Sequence, residues 1–386
     1  MKSGHLPLTV EKAMPGEVRF LTVKEKRNAS PNGCACWRNI ARYNVKTDGP
    51  VIRFITLPTF SLFCVCYKPL FHFDGDVFVA EIDSATLLTL MEQAVARSVT
   101  FPVWPQGEAP GAATSPVTFQ LEENLTGPSA FDRSVTGVRA PQITVYAPEK
   151  PNGVGILVTP GGSYRRVVLD KEGSALAPFF NARGYTLFVM TYRLPADGHA
   201  EGANAPLADV QRAMRTLRAR ADEWQLDPSR LGVMGFSAGG HAAASLGTRY
   251  NEHAYRAIDD IDAVSARPAF MALVYPVISM HNAVDHPGSR HELIGDNPDN
   301  AQIAHYSLEE RATHDSPPGF LLHAIDDPAV KVENSVVMFT ALRRLGVPVE
   351  MHLFEQGGHG FGIRDAQGLP VSIWPELMMN WIATKV

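Results

Sequence analysis

Residues 230–246 read RLGVMGFSAGGHAAASL. An apolar run, 231–236, leads directly into Gly235-Phe236-Ser237-Ala238-Gly239, and a stretch of small residues follows, the pattern of a strand turning sharply into a helix. Such a turn lifts the Ser237 hydroxyl above the sheet, and glycine at 235 and 239 lets the flanking backbones pass closely. It also aims the free N–H groups of the helix start at negative charge developing beside the serine.

Outward from this stretch the same alternation repeats. Short β-branched and apolar runs at 142–146, 155–159, 186–192, 230–236, 270–275, 320–325 and 349–354 predict strands dense enough in apolar residues to be buried on both faces. Between them, Leu207, Val210, Met214 and Leu217 share one helical face, as do Val332, Val336, Phe339 and Leu342 ahead of the breaker Gly346. Both stripes are expected to contact the core. Strand and helix in turn predict an α/β fold, a mainly parallel sheet with helices on both faces.

Residues 102–116, PVWPQGEAPGAATSP, hold four prolines and two glycines and place the domain boundary there: 1–101 an N-terminal extension of uncertain role, 102–386 the catalytic domain. Within the extension, a strand at 76–82 and a helix at 84–96 are predicted. Residues 279–318 form a second long irregular stretch, polar and carrying His281, His286, His291, His305 and His314; insertions of this kind often border active sites. No two of these histidines have the helical spacing with a nearby carboxylate that would fix a metal, so no metal site is expected.

A serine is a weak nucleophile until a histidine takes its proton and a carboxylate holds that histidine. His359, in Glu355-Gln356-Gly357-Gly358-His359-Gly360-Phe361 after the last predicted strand, is the candidate base. The strand at 320–325 runs into Asp326-Asp327-Pro328-Ala329-Val330, and one of these two aspartates is the expected third member. An acyl-transfer site also needs two backbone N–H donors for the oxyanion, and Ala238 together with Gly162 or Ser163, in the glycine-rich loop after 155–159, would supply them. Arg165 and Arg166 follow that loop and are candidates for binding substrate hydroxyls or a carboxylate. His241, one helical turn from Ser237, is expected to be structural.

Taken in order, TPGGSYRRVVLDKEG, FVMTYRLP, RLGVMGFSAGGHAAASL, LLHAIDDPAVKVENS and VEMHLFEQGGHGFG resemble α/β-hydrolase esterases of the acetyl esterase, acetyl xylan esterase and feruloyl-esterase-like group over about 103–386. The resemblance implies an α/β-hydrolase fold and the order Ser237, Asp327, His359 for the triad, Asp327 being preferred because the segment is similar to the D-x-x-V turn of such enzymes. Pro160 stands where those esterases often carry histidine, and Ser163 replaces a third glycine, changes a backbone donor tolerates. It further implies removal of short acyl groups, acetyl in particular, from xylan-type carbohydrates, with no cofactor. A carboxylesterase or lipase acting on non-sugar esters, a serine peptidase and a non-catalytic binding protein on the same fold are the alternatives.

Composition narrows the partners. Of 386 residues, 45% are hydrophobic and 19% charged, as in folded globular chains. The 35 Lys and Arg against 40 Asp and Glu leave a net charge of -5 and no long basic run, which argues against nucleic acid. No long apolar stretch is free of breakers, which argues against a membrane span. The expected partner is a small-molecule or oligosaccharide ester, with the oligomeric state open. Cys34, Cys36, Cys64 and Cys66 form two C-x-C pairs, a spacing poorly suited to zinc; reduced or partly buried thiols are the expectation, and they do not decide the redox compartment. The first twenty residues lack the apolar core of a secretory signal, so the chain as written reads as cytoplasmic, with a periplasmic or secreted location if the start is misassigned.

Overall fold

The structure, a computed structural model, describes residues 19–26, 37–45, 84–112, 117–124 and 132–386. The chain divides into two compact units, Met1–Glu81 and Ile82–Val386. In the first, β1 (Arg19–Lys26) and β2 (Trp37–Val45) pair antiparallel, with a register shift at Val23/Lys24. The four cysteines and the strand expected at 76–82 lie outside the described residues.

The second unit opens with α1 (Ser84–Ala96), β3 (Val99–Pro102), β4 (Gln120–Asn124) and β5 (Asp132–Thr136). It continues through β6 (Gln142–Tyr146), β7 (Gly155–Thr159), β8 (Val167–Val168), α2 (Ala177–Asn181), β9 (Thr186–Met190) and α3 (Ala205–Ala219). Then come β10 (Leu231–Phe236), α4 (Ser237–Arg249), β11 (Met271–Val274), α5 (Pro287–Ile294) and α6 (Asn300–Tyr306). The last elements are β12 (Gly319–Ala324), α7 (Glu333–Arg344), β13 (Val349–Phe354) and α8 (Trp374–Ile382).

Eight strands form one sheet in the order β13-β12-β11-β10-β7-β9-β6-β3. The pairs from β13 to β9 are parallel, and β6 is antiparallel to both β9 and β3. Alternate residues of the central strands serve opposite faces: Leu157, Phe188 and Val233 join one core cluster, Ile156, Leu187 and Met234 the other. The first cluster is closed by α3, α4 and α7, the second by α1, α2 and α8. Burial on both faces is why these strands read as near-continuous apolar runs. This is the doubly covered sheet of an α/β-hydrolase. A small second sheet, β4-β5-β8, flanks it.

Four expectations need revision. The compact unit begins at Ile82, not at the proline-rich stretch, because α1 packs Leu87 and Met91 into the core and β3 adds an edge strand to the sheet. On α7 the buried face is Asn334, Ser335, Met338 and Leu342, with Val336 exposed. Two polar residues occupy that face because each is satisfied there: Asn334 Oδ1 accepts the N–H of Ile278 (2.8 Å) and Ser279 (3.1 Å), and Ser335 Oγ bonds His323 Nδ1 (2.8 Å). The 279–318 stretch carries α5 and α6, α6 being fixed by an Asp299–Gln302 capping box. Finally, α8 closes the second cluster with Trp374, Met378, Trp381 and Ile382, a helix the strand pattern did not suggest. Among the described residues no helix is long and apolar enough to cross a membrane.

Candidate active site

The turn from β10 into α4 holds Ser237 at φ 52°, a strained left-handed conformation for a residue with a side chain. Its tightness explains the two glycines. A Cβ on Gly235 would lie 2.3 Å from the Gly239 carbonyl oxygen, and one on Gly239 would lie 2.1 Å from that of Thr159. The Ser237 carbonyl accepts the N–H of Val277 (2.9 Å), fastening the turn to the segment after β11.

Three loops at the carboxyl ends of β10, β12 and β13 bring Ser237, Asp327 and His359 together. Ser237 Oγ lies 2.9 Å from His359 Nε2, and His359 Nδ1 lies 2.7 Å from Asp327 Oδ2. With Nδ1–H donating to the carboxylate, Nε2 is left to accept the serine proton. The other Asp327 oxygen, Oδ1, accepts the N–H of Ala329 and Val330, both at 2.9 Å. Burial by itself would raise the Asp327 carboxyl; hydrogen bonds from His323, His359 and the Val330 N–H outweigh it and hold the group well below the usual carboxylate range. Asp326 does a different job: its Oδ1 accepts the Gly358 N–H at 2.8 Å and so anchors the loop that carries His359.

The glycine-rich loop after β7 lies against this turn. Its Gly161 carbonyl accepts the Val168 N–H (3.0 Å), and its Gly162 carbonyl accepts those of Arg165 (3.0 Å) and Arg166 (3.2 Å). Ser163 and Tyr164 follow at φ 57° and 61°. Ala238, second in α4, has no helical acceptor for its N–H. Gly161 brings this loop to Ser237, since a Cβ on it would lie 2.8 Å from Ser237 Cβ, and Gly162 and Ser163 follow it in the chain as Ala238 follows Ser237.

His241 is fully buried between Tyr164 Oη, 2.8 Å from Nδ1, and the Tyr306 carbonyl, 2.8 Å from Nε2. Burial pushes its pKa down to about 4, so at neutral pH the ring is an uncharged brace between the loop and α6. Arg165 Nε pairs with Glu292 Oε1 of α5 at 2.8 Å, and Arg166 lines a surface cavity of about 370 Å³ with Glu122, Glu123, Asp132, Arg133, Ser134 and Val168. None of the triad residues lines that cavity.

Sequence reasoning missed several neighbours of the site. His323 is wholly buried, with Nε2 3.0 Å from the Val330 carbonyl and 3.3 Å from Asp327 Oδ2. His286 caps α5, its Nδ1 accepting the Ser289 N–H at 3.1 Å; burial lowers its pKa, and the charge on His359 lowers it further. Of the other insertion histidines, His291 meets Asp296 (2.6 Å) and His305 meets Arg249 (2.8 Å). His281 groups with Glu309 and Glu310, with their candidate ligand atoms all within 4.8 Å. Glu172 and Tyr275 are buried, and the Tyr275 ring lies with its centroid 5.0 Å from that of His359.

Residues 145–342, just over half of the chain, match the BD-FAE family model. The chain is 33% identical over 225 residues to an acetylxylan esterase of Xylanibacter ruminicola, covering 57% of this chain and 44% of that protein. It is also 33% identical over 208 residues to endo-1,4-beta-xylanase B of Butyrivibrio fibrisolvens, covering 54% of this chain and 32% of that one. The chain thus spans less than half the length of these two curated relatives. Among solved structures it is similar to an acetyl ester-xyloside bifunctional hydrolase from Caldicellulosiruptor lactoaceticus, with 33% identity and a TM-score of 0.60, over 74% of this chain and 96% of that one. By the extent of the family match, and by a sheet order and strand-to-helix turn of the expected kind, this chain belongs to the BD-FAE family of α/β-hydrolases.

Proposed function

We propose that the chain is a serine ester hydrolase that removes short acyl groups, acetyl foremost, from carbohydrate hydroxyls of the xylan or xylo-oligosaccharide type. The observation that carries the reaction class is the continuous hydrogen-bonded line from Ser237 Oγ through His359 to Asp327, whose side chain is inaccessible to solvent. The carbohydrate assignment is supported by the names of the relatives, an acetylxylan esterase and an acetyl ester-xyloside hydrolase.

In the proposed mechanism His359 Nε2 takes the Ser237 proton as Oγ attacks the ester carbonyl. The negative charge that develops on the carbonyl oxygen is met by the Ala238 N–H and by that of Gly162 or Ser163. Asp327, ionised under the hydrogen bonds described above, stabilises the imidazolium and keeps its Nδ1–H in place. His359 then protonates the departing sugar oxygen, leaving an acyl group on Ser237. Water, deprotonated by the same nitrogen, releases the acid.

Initial rates on acetylated xylo-oligosaccharides, aryl esters of increasing acyl length and aminoacyl-peptide substrates test the reading. The account expects acetate esters to be cleaved fastest, sugar acetates among them. Preference for long acyl chains would favour a lipase, and turnover of peptides alone would favour a peptidase.

A further inference from the structure

A carboxylate that the mechanism above does not use lies buried under both catalytic loops. Glu172 follows the glycine-rich loop and is almost wholly inaccessible. Its Oε2 accepts the Gly161 N–H at 2.7 Å, and its Oε1 accepts the Tyr275 hydroxyl at 2.9 Å. Tyr275 comes directly after β11 at φ 37°, and its Oη in turn accepts the Gly362 N–H at 3.1 Å. Gly362 is three residues past His359, and its carbonyl accepts the Trp374 indole N–H at 2.8 Å. The Tyr275 ring also stands edge-on to the His359 imidazole, their centroids 5.0 Å apart.

We propose that Glu172 is a positioning residue: by holding Gly161 directly and Gly362 through Tyr275, it keeps the oxyanion donors and the His359 imidazole in register with Ser237. This rests on the esterase reading and adds to it a residue that touches neither substrate nor reacting atoms.

Three observations support it. First, Gly161 is the point where carboxylate and nucleophile converge, since a Cβ there would lie 2.8 Å from Glu172 Oε2, from the Phe236 carbonyl oxygen and from Ser237 Cβ. Second, with the Gly161 N–H bound to Glu172 and the Gly161 and Gly162 carbonyls bound to Val168, Arg165 and Arg166, the loop is fixed with the next two N–H groups left for the oxyanion. Third, a carboxylate offers two acceptor oxygens to donors arriving from opposite sides, which an amide cannot do. Burial raises the Glu172 pKa, opposed by the Gly161 N–H, by charge on His359 and by the Tyr275 hydroxyl.

The test uses the full chain and two variants. Glu172→Leu removes both acceptors at similar volume, and Glu172→Gln keeps one. Titration to completion with a fluorophosphonate counts competent serines, so turnover is expressed per labelled chain and partial misfolding drops out. For Glu172→Leu we expect kcat about 100-fold lower, comparable to the loss of one oxyanion donor. For Glu172→Gln we expect it about tenfold lower, the cost of one buried hydrogen bond. In both, KM should stay within about threefold and labelling should be slower yet still reach one per chain, because ground-state binding and the serine itself are intact. A role in stability alone would lower Tm and leave kcat per labelled chain within about twofold of wild type; that result overturns the proposal. If Glu172→Leu does not fold, Glu172→Gln decides by the same criterion. Failure of wild type to take any label would overturn the esterase reading, and this proposal with it, whereas a labelled wild type with unaffected variants overturns this proposal alone.

Discussion

Asp327→Asn is the substitution on which the two neighbouring aspartates part most sharply. In the structure Asp327 is constrained on both oxygens: Oδ1 accepts the Ala329 and Val330 N–H groups, and Oδ2 faces His359 Nδ1 at 2.7 Å and His323 Nε2 at 3.3 Å. An asparagine there must keep its oxygen on the two backbone donors, so its NH2 points at His359 Nδ1. The imidazole then adopts the tautomer with hydrogen on Nε2, which cannot accept a proton from Ser237. Loss of the base together with the stabilising charge predicts a fall in kcat of about 10⁴-fold. At Asp326 an asparagine can still accept the Gly358 N–H, and weakening one exposed, charge-assisted bond predicts a loss of no more than about tenfold. Steady-state hydrolysis of an aryl acetate by both variants, at matched concentrations of folded protein, measures the ratio. Equal losses, or a larger loss at Asp326, would refute the assignment.

Other perturbations probe the frame around the site. Gly239→Ala forces a Cβ to within 2.1 Å of the Thr159 carbonyl oxygen, so α4 must shift; we expect a loss of roughly 3 kcal/mol in denaturant unfolding and a fall in kcat, and unchanged stability would contradict the packing described. Asp209 accepts the Trp104 indole N–H (2.8 Å) and the Arg193 backbone N–H (2.8 Å) beside the fully buried Arg193 guanidinium, so Asp209→Ala leaves a buried cation underpaired. That should cost about 4 kcal/mol and lower Tm by about 10 °C, read by calorimetry, and a Tm shift near zero would refute it. His241 titrates near 4 in the folded chain against 6.5 when free, so the unfolded state binds more protons between these values. Its contribution, on the order of 3 kcal/mol, is full above pH 6.5 and lost as pH falls toward 4. Unfolding free energies at pH 7 and 4.5 should therefore differ less in a folded His241→Gln variant than in wild type, and an equal difference would show that the ring is not held neutral.

How much of this was legible in the sequence depends on whether the determinants are local. The strands β6, β7 and β13 fall where their apolar runs predict; in β7 burial on both faces writes itself into five consecutive residues, whereas β13, at the edge of the sheet, keeps the pattern with no residue fully buried. Ser237, the glycine-rich loop and His359 are readable because each sits in a loop whose glycines answer to a specific crowding or turn. Choosing Asp327 over Asp326 needed a family resemblance, since adjacent aspartates look alike until β12 ends and the turn decides which enters the core. Glu172 and Tyr275 carried no local signal at all: a single Glu and a single Tyr become important only when the sheet brings residues 103 positions apart within 2.9 Å. The helices α6 and α8 were within reach. Asp299 and Gln302 are a capping-box pair, and Trp374, Met378, Trp381 and Ile382 recur at helical spacing.

The central claim is that Ser237 is a nucleophile activated by His359. A fluorophosphonate probe incubated with the full chain, followed by peptide mapping, tests it most directly. The account predicts one adduct per chain on Ser237, absent from Ser237→Ala and strongly slowed in His359→Ala. A folded wild-type chain that takes no label, or an adduct that maps to another serine, would contradict it.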